Sequence, residues 1–264
     1  MPKPERMNEL KITLTQPFLH WEQSQANRKH FDDLLRDIPA TDLILLPEMF
    51  STGFTMKPLA VSEEENGPSV KWMQELSKEK NAAVCGSLVI AEHGDFYNRL
   101  FFVLPDGTYR TYDKRHLFTL AGEQKVYKGG NERLLIEYRG WKILPFVCYD
   151  LRFPVWCRNT EEAELMLFVA NWPDRRSEAW RTLLKARAIE NMCYVAAVNR
   201  VGDDGNGVYH SGYSGLYDEV GNLLSDFEAG QEEVKTYSIK KDAVYESRER
   251  FSFLKDRDRF QLGV

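Results

Sequence analysis

LMLFVANWPDRRSEAWRTLLKARAIENMCYVAAV, residues 165–198, carries the pattern that decides the fold. Leu165–Val169 is a short apolar run, long enough for a buried strand and too short for a helix. A helix around Trp180–Asn191 follows, and Tyr194–Val198 is a second apolar run. Strand, helix and strand in that order form the unit of a sheet covered by helices.

The same alternation runs outward in both directions. Leu10, Ile12 and Leu14 alternate as in a half-buried strand, and Phe31, Leu34, Leu35 and Ile38 recur at helical spacing until Pro39 ends the run. Leu43–Leu46 reads as a buried strand; Pro68 opens a helix carrying Val70, Met73 and Leu76, with Asn81 as its stop. Strands are then expected at Ala82–Ile90, Asn98–Leu104 and Thr108–Asp113, divided by turn signals such as Pro105-Asp106-Gly107. Leu134–Tyr138 and Lys142–Val147 flank Arg139-Gly140 as a hairpin. Tyr213–Tyr217 and Val234–Ile239 extend the strand-rich C-terminal third. No repeat or linker interrupts the chain, so residues 1–264 read as one domain of α/β (α+β) layered architecture.

The 264 residues are 43% hydrophobic and 28% charged, a globular composition rather than a disordered one. A net charge of −5 leaves no basic excess to neutralise phosphates, which argues against nucleic acid as a partner. No apolar run approaches the ~20 residues of a membrane-spanning helix, and Met1–Leu10 mixes Lys3 and Arg6 with Glu5 and Glu9 without an apolar leader core. A cytoplasmic protein without a membrane partner is expected. Cys85, Cys148, Cys157 and Cys193 are too sparse for a disulfide framework and form no C-x-x-C pair. Thiols are the default reading.

Three strand-like runs end in a reactive side chain: Leu45-Leu46-Pro47-Glu48, Arg110-Thr111-Tyr112-Asp113-Lys114 and Leu144-Pro145-Phe146-Val147-Cys148. Ligands collect beyond the carboxyl ends of strands in layered α/β folds. A carboxylate, an ammonium and a thiol brought together there make a nucleophilic site: the thiol attacks, the carboxylate takes its proton, and the cation steadies the oxyanion. Each residue alone has a plainer reading. A lone cysteine is usually core, Glu48 can merely end a strand, and Asp113-Lys114-Arg115 is an ordinary solvated charge run.

The longer strings decide between these readings. Leu46-Pro47-Glu48-Met49-Phe50, Asp113-Lys114-Arg115-His116-Leu117-Phe118 and Cys148-Tyr149-Asp150-Leu151-Arg152-Phe153-Pro154 together resemble the carbon–nitrogen hydrolase (nitrilase) superfamily. Ala188-Ile189-Glu190-Asn191 and Asn199-Arg200-Val201-Gly202 add to a likeness that runs from Leu10 to about Phe260. It implies a four-layer αββα sandwich and a catalytic Glu48–Lys114–Cys148 triad, with a second glutamate at Glu123. The backbone N–H of Tyr149 and the Lys114 ammonium would serve the oxyanion. Neither metal nor organic cofactor is implied, and at least a homodimer is. Tyr149-Asp150 stands where true nitrilases place Trp-Glu, which is similar to the amidase branches. Asn171-Trp172-Pro173 and Tyr245-x-x-Arg248-x-x-Phe251 through Asp258-x-Phe260 resemble bacterial ω-amidases, which deamidate small dicarboxylic monoamides such as 2-oxoglutaramate. The rivals within the superfamily are a nitrilase or an N-carbamoyl amide hydrolase. The rival of another class is a non-catalytic binding or assembly protein on the same scaffold.

Cys148, beside Lys114 and a base, is expected to be the one reactive thiol, with its thiolate favoured. Arg176 is the candidate for a substrate carboxylate, with Arg175 as its alternative and two solvated arginines at a helix start as the plain reading. Phe54, Phe118, Tyr149 and Trp172 are candidate pocket walls. Asp150 and Arg152 are expected to pair or hydrogen-bond near the nucleophile and hold its turn. His116 would share a face with Lys114 if the strand continued, so spacing admits a Cys–His dyad, although a hydrogen-bonded structural histidine is the stronger reading. Gly202–Gly207 lacks calcium- and phosphate-loop spacing and reads as a surface turn. Glu63-Glu64-Glu65 and residues 240–250 read as solvated faces.

Overall fold

The computed structural model describes residues 8–261 and 263, so the Lys3–Arg6 part of the leader reading lies outside the described residues. The chain opens with β1 (Glu9–Gln16), α1 (Ser24–Leu34), β2 (Leu43–Leu45), α2 (Pro58–Val61) and α3 (Pro68–Lys80). Three strands follow, β3 (Ala83–Glu92), β4 (Asp95–Val103) and β5 (Tyr109–Asp113), and then β6 (Ile136–Tyr138) and β7 (Trp141–Val147). β8 (Leu165–Val169), α4 (Ser177–Asn191) and β9 (Tyr194–Val198) form the expected strand–helix–strand unit. A short hairpin of β10 (Val201–Asp203) and β11 (Tyr209–Ser211) precedes β12 (Gly215–Tyr217), β13 (Glu233–Lys240) and α5 (Lys241–Phe251).

One sheet runs β13-β1-β2-β3-β4-β5 and a second runs β12-β9-β8-β7-β6. β1, β2 and β3 are mutually parallel, as are β7, β8 and β9, and the outer strands pair antiparallel. The period-2 pattern sorts side chains between layers. Leu43, Leu45, Ala83, Cys85, Leu100 and Phe102 join the second sheet's Ile143, Leu165 and Leu167 in one core between the sheets. Ile44, Leu46, Val84, Phe101 and Val103 face the other way, onto Phe31 of α1 and Val70, Met73 and Leu76 of α3. α4 covers the second sheet through Trp180, Leu184 and Ala188. Helix, sheet, sheet and helix is the αββα sandwich.

Several boundaries differ from the sequence reading, two of them for a clear local reason. α1 starts at Ser24 and stops at Leu34, where the Leu35 N–H closes on Phe31 O, so Pro39 does not end it. Its first turn is polar, which hid it from an argument based on apolar recurrence. The strand expected from Tyr213 begins only at Gly215, because Tyr213 takes a left-handed φ of 57° that no strand accommodates. Among the described residues, no helix is long and apolar enough to cross a membrane.

Candidate active site

β2, β5 and β7 deliver their expected residues to one point. Beyond β2, Pro47-Glu48 leads into a left-handed turn at Met49 (φ 43°), whose N–H donates to Ser87 Oγ on β3 at 2.8 Å. Gly86 lets this segment approach, since a Cβ there would stand 2.9 Å from Leu46 Cβ. Lys114 directly follows β5, and its N–H donates to Asn98 O at 3.0 Å. Cys148 directly follows β7 with a φ of 46°, a strained value for a non-glycine residue and a common one at functional sites. Asp150 holds that turn by accepting from the Val147 N–H (3.0 Å) and the Tyr112 hydroxyl (2.7 Å).

Glu48, Lys114 and Glu123 are each fully buried. Lys114 Nζ donates to Glu48 Oε1 at 2.8 Å and to Glu123 Oε2 at 2.9 Å. Asn98 Nδ2 donates to the same pair, to Glu48 Oε1 at 2.8 Å and Glu123 Oε1 at 3.2 Å. Its orientation is fixed because Ser87 Oγ donates to Asn98 Oδ1 at 2.8 Å. Glu48 Oε2 accepts the Asn171 N–H at 2.9 Å, and the Cys148 thiol faces Asn171 O at 3.9 Å. Burial alone would lower the Lys114 pKa, but Glu123, Glu48 and Cys148 outweigh it and hold the ammonium charged. Burial pushes Glu123 above the ordinary carboxylate range, with Lys114 opposing and Glu48 reinforcing.

The thiol departs from expectation. Burial, and after it the charge of Glu48, pushes Cys148 well above the ordinary thiol range, against the smaller opposing pull of Lys114. Burial thus works against the thiolate expected from the sequence. Burial also pushes Cys85, Cys157 and Cys193 up, Cys193 to about 12, and only Cys148 lines the cleft. All four are free thiols.

Lys114 and Cys148 form the floor of a cleft of about 360 Å³. Phe54, Phe118, Tyr149, Trp172 and Arg176 all line it, as does the alternative Arg175. Glu48 and Glu123 lie behind the floor, reached through Lys114. Arg176 sits over the Phe118 ring at 5.1 Å, and Arg152 over the Trp172 ring at 4.9 Å. Arg152 thus points into the cleft instead of pairing with Asp150. Asp150 is taken by His116, whose N–H and Nδ1 lie 2.9 and 2.8 Å from Asp150 Oδ1. The His116 ring stacks on Phe153 at 3.7 Å between centroids, so the histidine is structural; β5 has ended before it, and the shared face with Lys114 never forms.

Several site residues escaped sequence reasoning. Asn98, Ser87 and Asn171 are neutral side chains within or just beyond apolar strands, and that isolated polarity was the available signal. Asp204, Asn206, Val208 and His210 also line the cleft, so the surface turn read at 202–207 is at the same time part of its wall. Gly205 makes this possible: a Cβ there would stand 2.3 Å from the Trp21 ring. Among the described residues, no group of three His, Cys, Asp or Glu side chains is arranged to hold a metal ion.

Comparison with known proteins places the chain in a family. The chain is 46% identical over 258 residues to "Omega-amidase YafV" of Yersinia enterocolitica, spanning 97% of this chain and 100% of that protein. It is 35% identical over 197 residues to "2-oxoglutaramate amidase" of Bacillus subtilis, spanning 73% of this chain and 75% of that one. A solved carbon–nitrogen hydrolase superfamily protein of Xanthomonas campestris, with an arsenic adduct in its active site, superposes with a TM-score of 0.95 at 43% identity, covering 97% of this chain and 100% of that one. The family description "Carbon-nitrogen hydrolase" matches residues 11–249. With an αββα sandwich and a buried glutamate–lysine pair behind a cleft cysteine, the chain belongs to the carbon–nitrogen hydrolase family.

Proposed function

We propose that the protein hydrolyses the terminal amide of small dicarboxylic monoamides, such as 2-oxoglutaramate and succinamate, to the acid and ammonia. The observation that carries this reading is the buried Glu48–Lys114–Glu123 cluster opening onto Cys148 at the floor of the cleft. In this mechanism Cys148 Sγ bonds to the amide carbon while its proton passes to Glu48. The Lys114 ammonium and the Tyr149 N–H stabilise the oxyanion. The C–N bond then breaks, Glu48 returns the proton to nitrogen, and ammonia leaves a thioester on Cys148. Water, deprotonated by Glu48, adds to that thioester; the C–S bond breaks, the acid leaves, and Glu48 returns the proton to Cys148 Sγ. Glu123 holds Lys114 in place.

The monoacid preference is supported by Arg176, Arg175 and Arg152 on the cleft, of which Arg176 is our choice for the carboxylate. Phe54, Phe118 and Trp172 supply apolar walls for the short carbon chain. Ammonia release from a panel of amides, compared between the native chain and Cys148→Ala, tests the reading. Turnover of nitriles, or release of CO₂, in place of amide turnover would assign a different branch. We further propose that the chain works as one domain in a cytoplasmic homodimer. Four free thiols suit a reducing compartment, and exposed Val155, Phe253 and Phe260 border one groove that suits a second copy. A monomeric mass by light scattering would refute the dimer.

A further inference from the structure

We infer that Asn171 recognises the nitrogen of the scissile amide, its Oδ1 accepting an N–H from the substrate above Cys148. This rests on the amidase reading and names the group that selects a carboxamide. Three of the four polar atoms of Asn171 are committed. Its main-chain N–H donates to Glu48 Oε2 at 2.9 Å, its carbonyl receives the Cys148 thiol at 3.9 Å, and its Nδ2 donates to the main-chain oxygen of Glu48. The last bond fixes the side-chain amide, because a flipped group would set Oδ1 against a carbonyl oxygen. Oδ1 is therefore an acceptor, it is buried, and no described residue donates to it. The residue is only 5% exposed, yet it lines the cleft beside the nucleophile.

A buried acceptor without a donor calls for a ligand or a water. A carboxamide brings two N–H donors to this point. An ester brings none, and the product carboxylate brings only negative charge. Once the thiol proton has moved to Glu48, the main-chain oxygen of Asn171 is also free for the second N–H. One residue then holds the leaving nitrogen next to Glu48, the group that returns its proton.

The test compares succinamate with monomethyl succinate, which share an acyl chain and differ in the leaving group. Asn171→Ala is expected to lower the amide-to-ester ratio of kcat/KM by about tenfold or more, the scale of a lost hydrogen bond in a closed site. Loosening of Glu48, which Asn171 also touches, would weaken protonation of the leaving nitrogen and lower the ratio as well, so a binding comparison in a Cys148→Ala background, where no proton moves, separates the two causes. The same comparison serves if alanine fails to fold or the ester is not turned over. In that background Asn171→Leu, which keeps the volume, is expected to bring the two affinities together in calorimetric titration. An unchanged ratio with amide turnover intact overturns the assignment, with a water as the occupant of Oδ1. A native chain that releases no ammonia from any monoamide overturns the amidase reading and this one with it.

Discussion

Lys114 and Arg176 are both cations lining one cleft, yet the first is wholly buried between two glutamates and the second is half-buried with no carboxylate beside it. At the floor, hydrogen bonds from Lys114, Asn98 and Asn171 meet the oxygens of Glu48. Toward the arginines the pattern reverses. Arg152, Arg175 and Arg176 ion-pair with no carboxylate of the described residues, and Arg176 is held below its ordinary pKa by burial and then by Arg175. A charge already paired is set for chemistry, because its partners fix its position before substrate arrives. Clustered cations without an anion are set for a ligand that brings one. On the function proposed above, the interior works on the amide and the arginines select what is attached to it.

The comparison breaks first if the floor is not the chemical centre. Cys148→Ala should abolish ammonia release. Glu48→Gln keeps the shape and removes the base, and kcat should fall at least ~10²-fold. Lys114→Met should lose ~10²–10³-fold through the oxyanion. His116→Asn should do far less, since that ring serves Asp150. Abolished turnover in His116→Asn alongside an active Glu48→Gln would transfer the base role to the histidine.

Next in size is the arginine side. Arg176→Ala is expected to lower kcat/KM for 2-oxoglutaramate or succinamate by roughly ten- to a hundredfold relative to a neutral short amide, the worth of one charge-assisted hydrogen bond. Equal losses on charged and neutral amides would show that Arg176 does not read the carboxylate. The same comparison on Arg152→Ala and Arg175→Ala sharpens which guanidinium does.

These residues were not equally legible in the sequence. Glu48, Lys114 and Cys148 stand in strings specific enough to be placed without coordinates, and the apolar runs of β2, β7, β8 and β9 announced the sheets. The supporting residues carried weaker signals. Asn98 and Ser87 lie on adjacent antiparallel strands, and nothing local says that one orients the other. Arg152 looked like a partner for Asp150 because they are near in sequence, whereas Asp150 is held by Tyr112 and His116 from across the fold. The β10–β11 hairpin has the Gly/Asp/Asn composition of a free turn, and only its seat on Trp21 makes it a wall. Chemistry was local in the chain; positioning was not.

Asn98 probes how far the pairing itself supports the floor. Asn98→Ala removes an N–H from both glutamates while leaving the triad intact, and a loss of about tenfold in kcat/KM is expected. Glu123, already raised by burial, loses a donor that favours its ionised form. The acidic limb of the kcat/KM profile should therefore move to higher pH. Ser87→Ala frees the Asn98 amide to turn and should move the limb the same way by less. A reduced rate with an unmoved limb would mean that Asn98 acts through packing alone.

The smallest expected effect concerns the stability of the cleft wall. His210 is buried on β11, with Nδ1 2.9 Å from Val208 O, and its pKa is lowered to about 4 by burial and then by Arg200, with Asp204 opposing. The unfolded chain binds this proton near pH 6.5, the folded chain only near 4. Protonation thus favours unfolding: the stability is fully present above about pH 6.5 and is lost as pH falls toward 4. Between pH 6.5 and 5.5 the linkage amounts to about 1 kcal/mol. His210→Asn keeps a donor for Val208 O and removes the titration. The difference in unfolding free energy between native chain and variant should shrink in step as pH falls across that interval. A difference independent of pH would mean that His210 is solvated or charged in the folded state, and that the wall is as open as the arginines beside it.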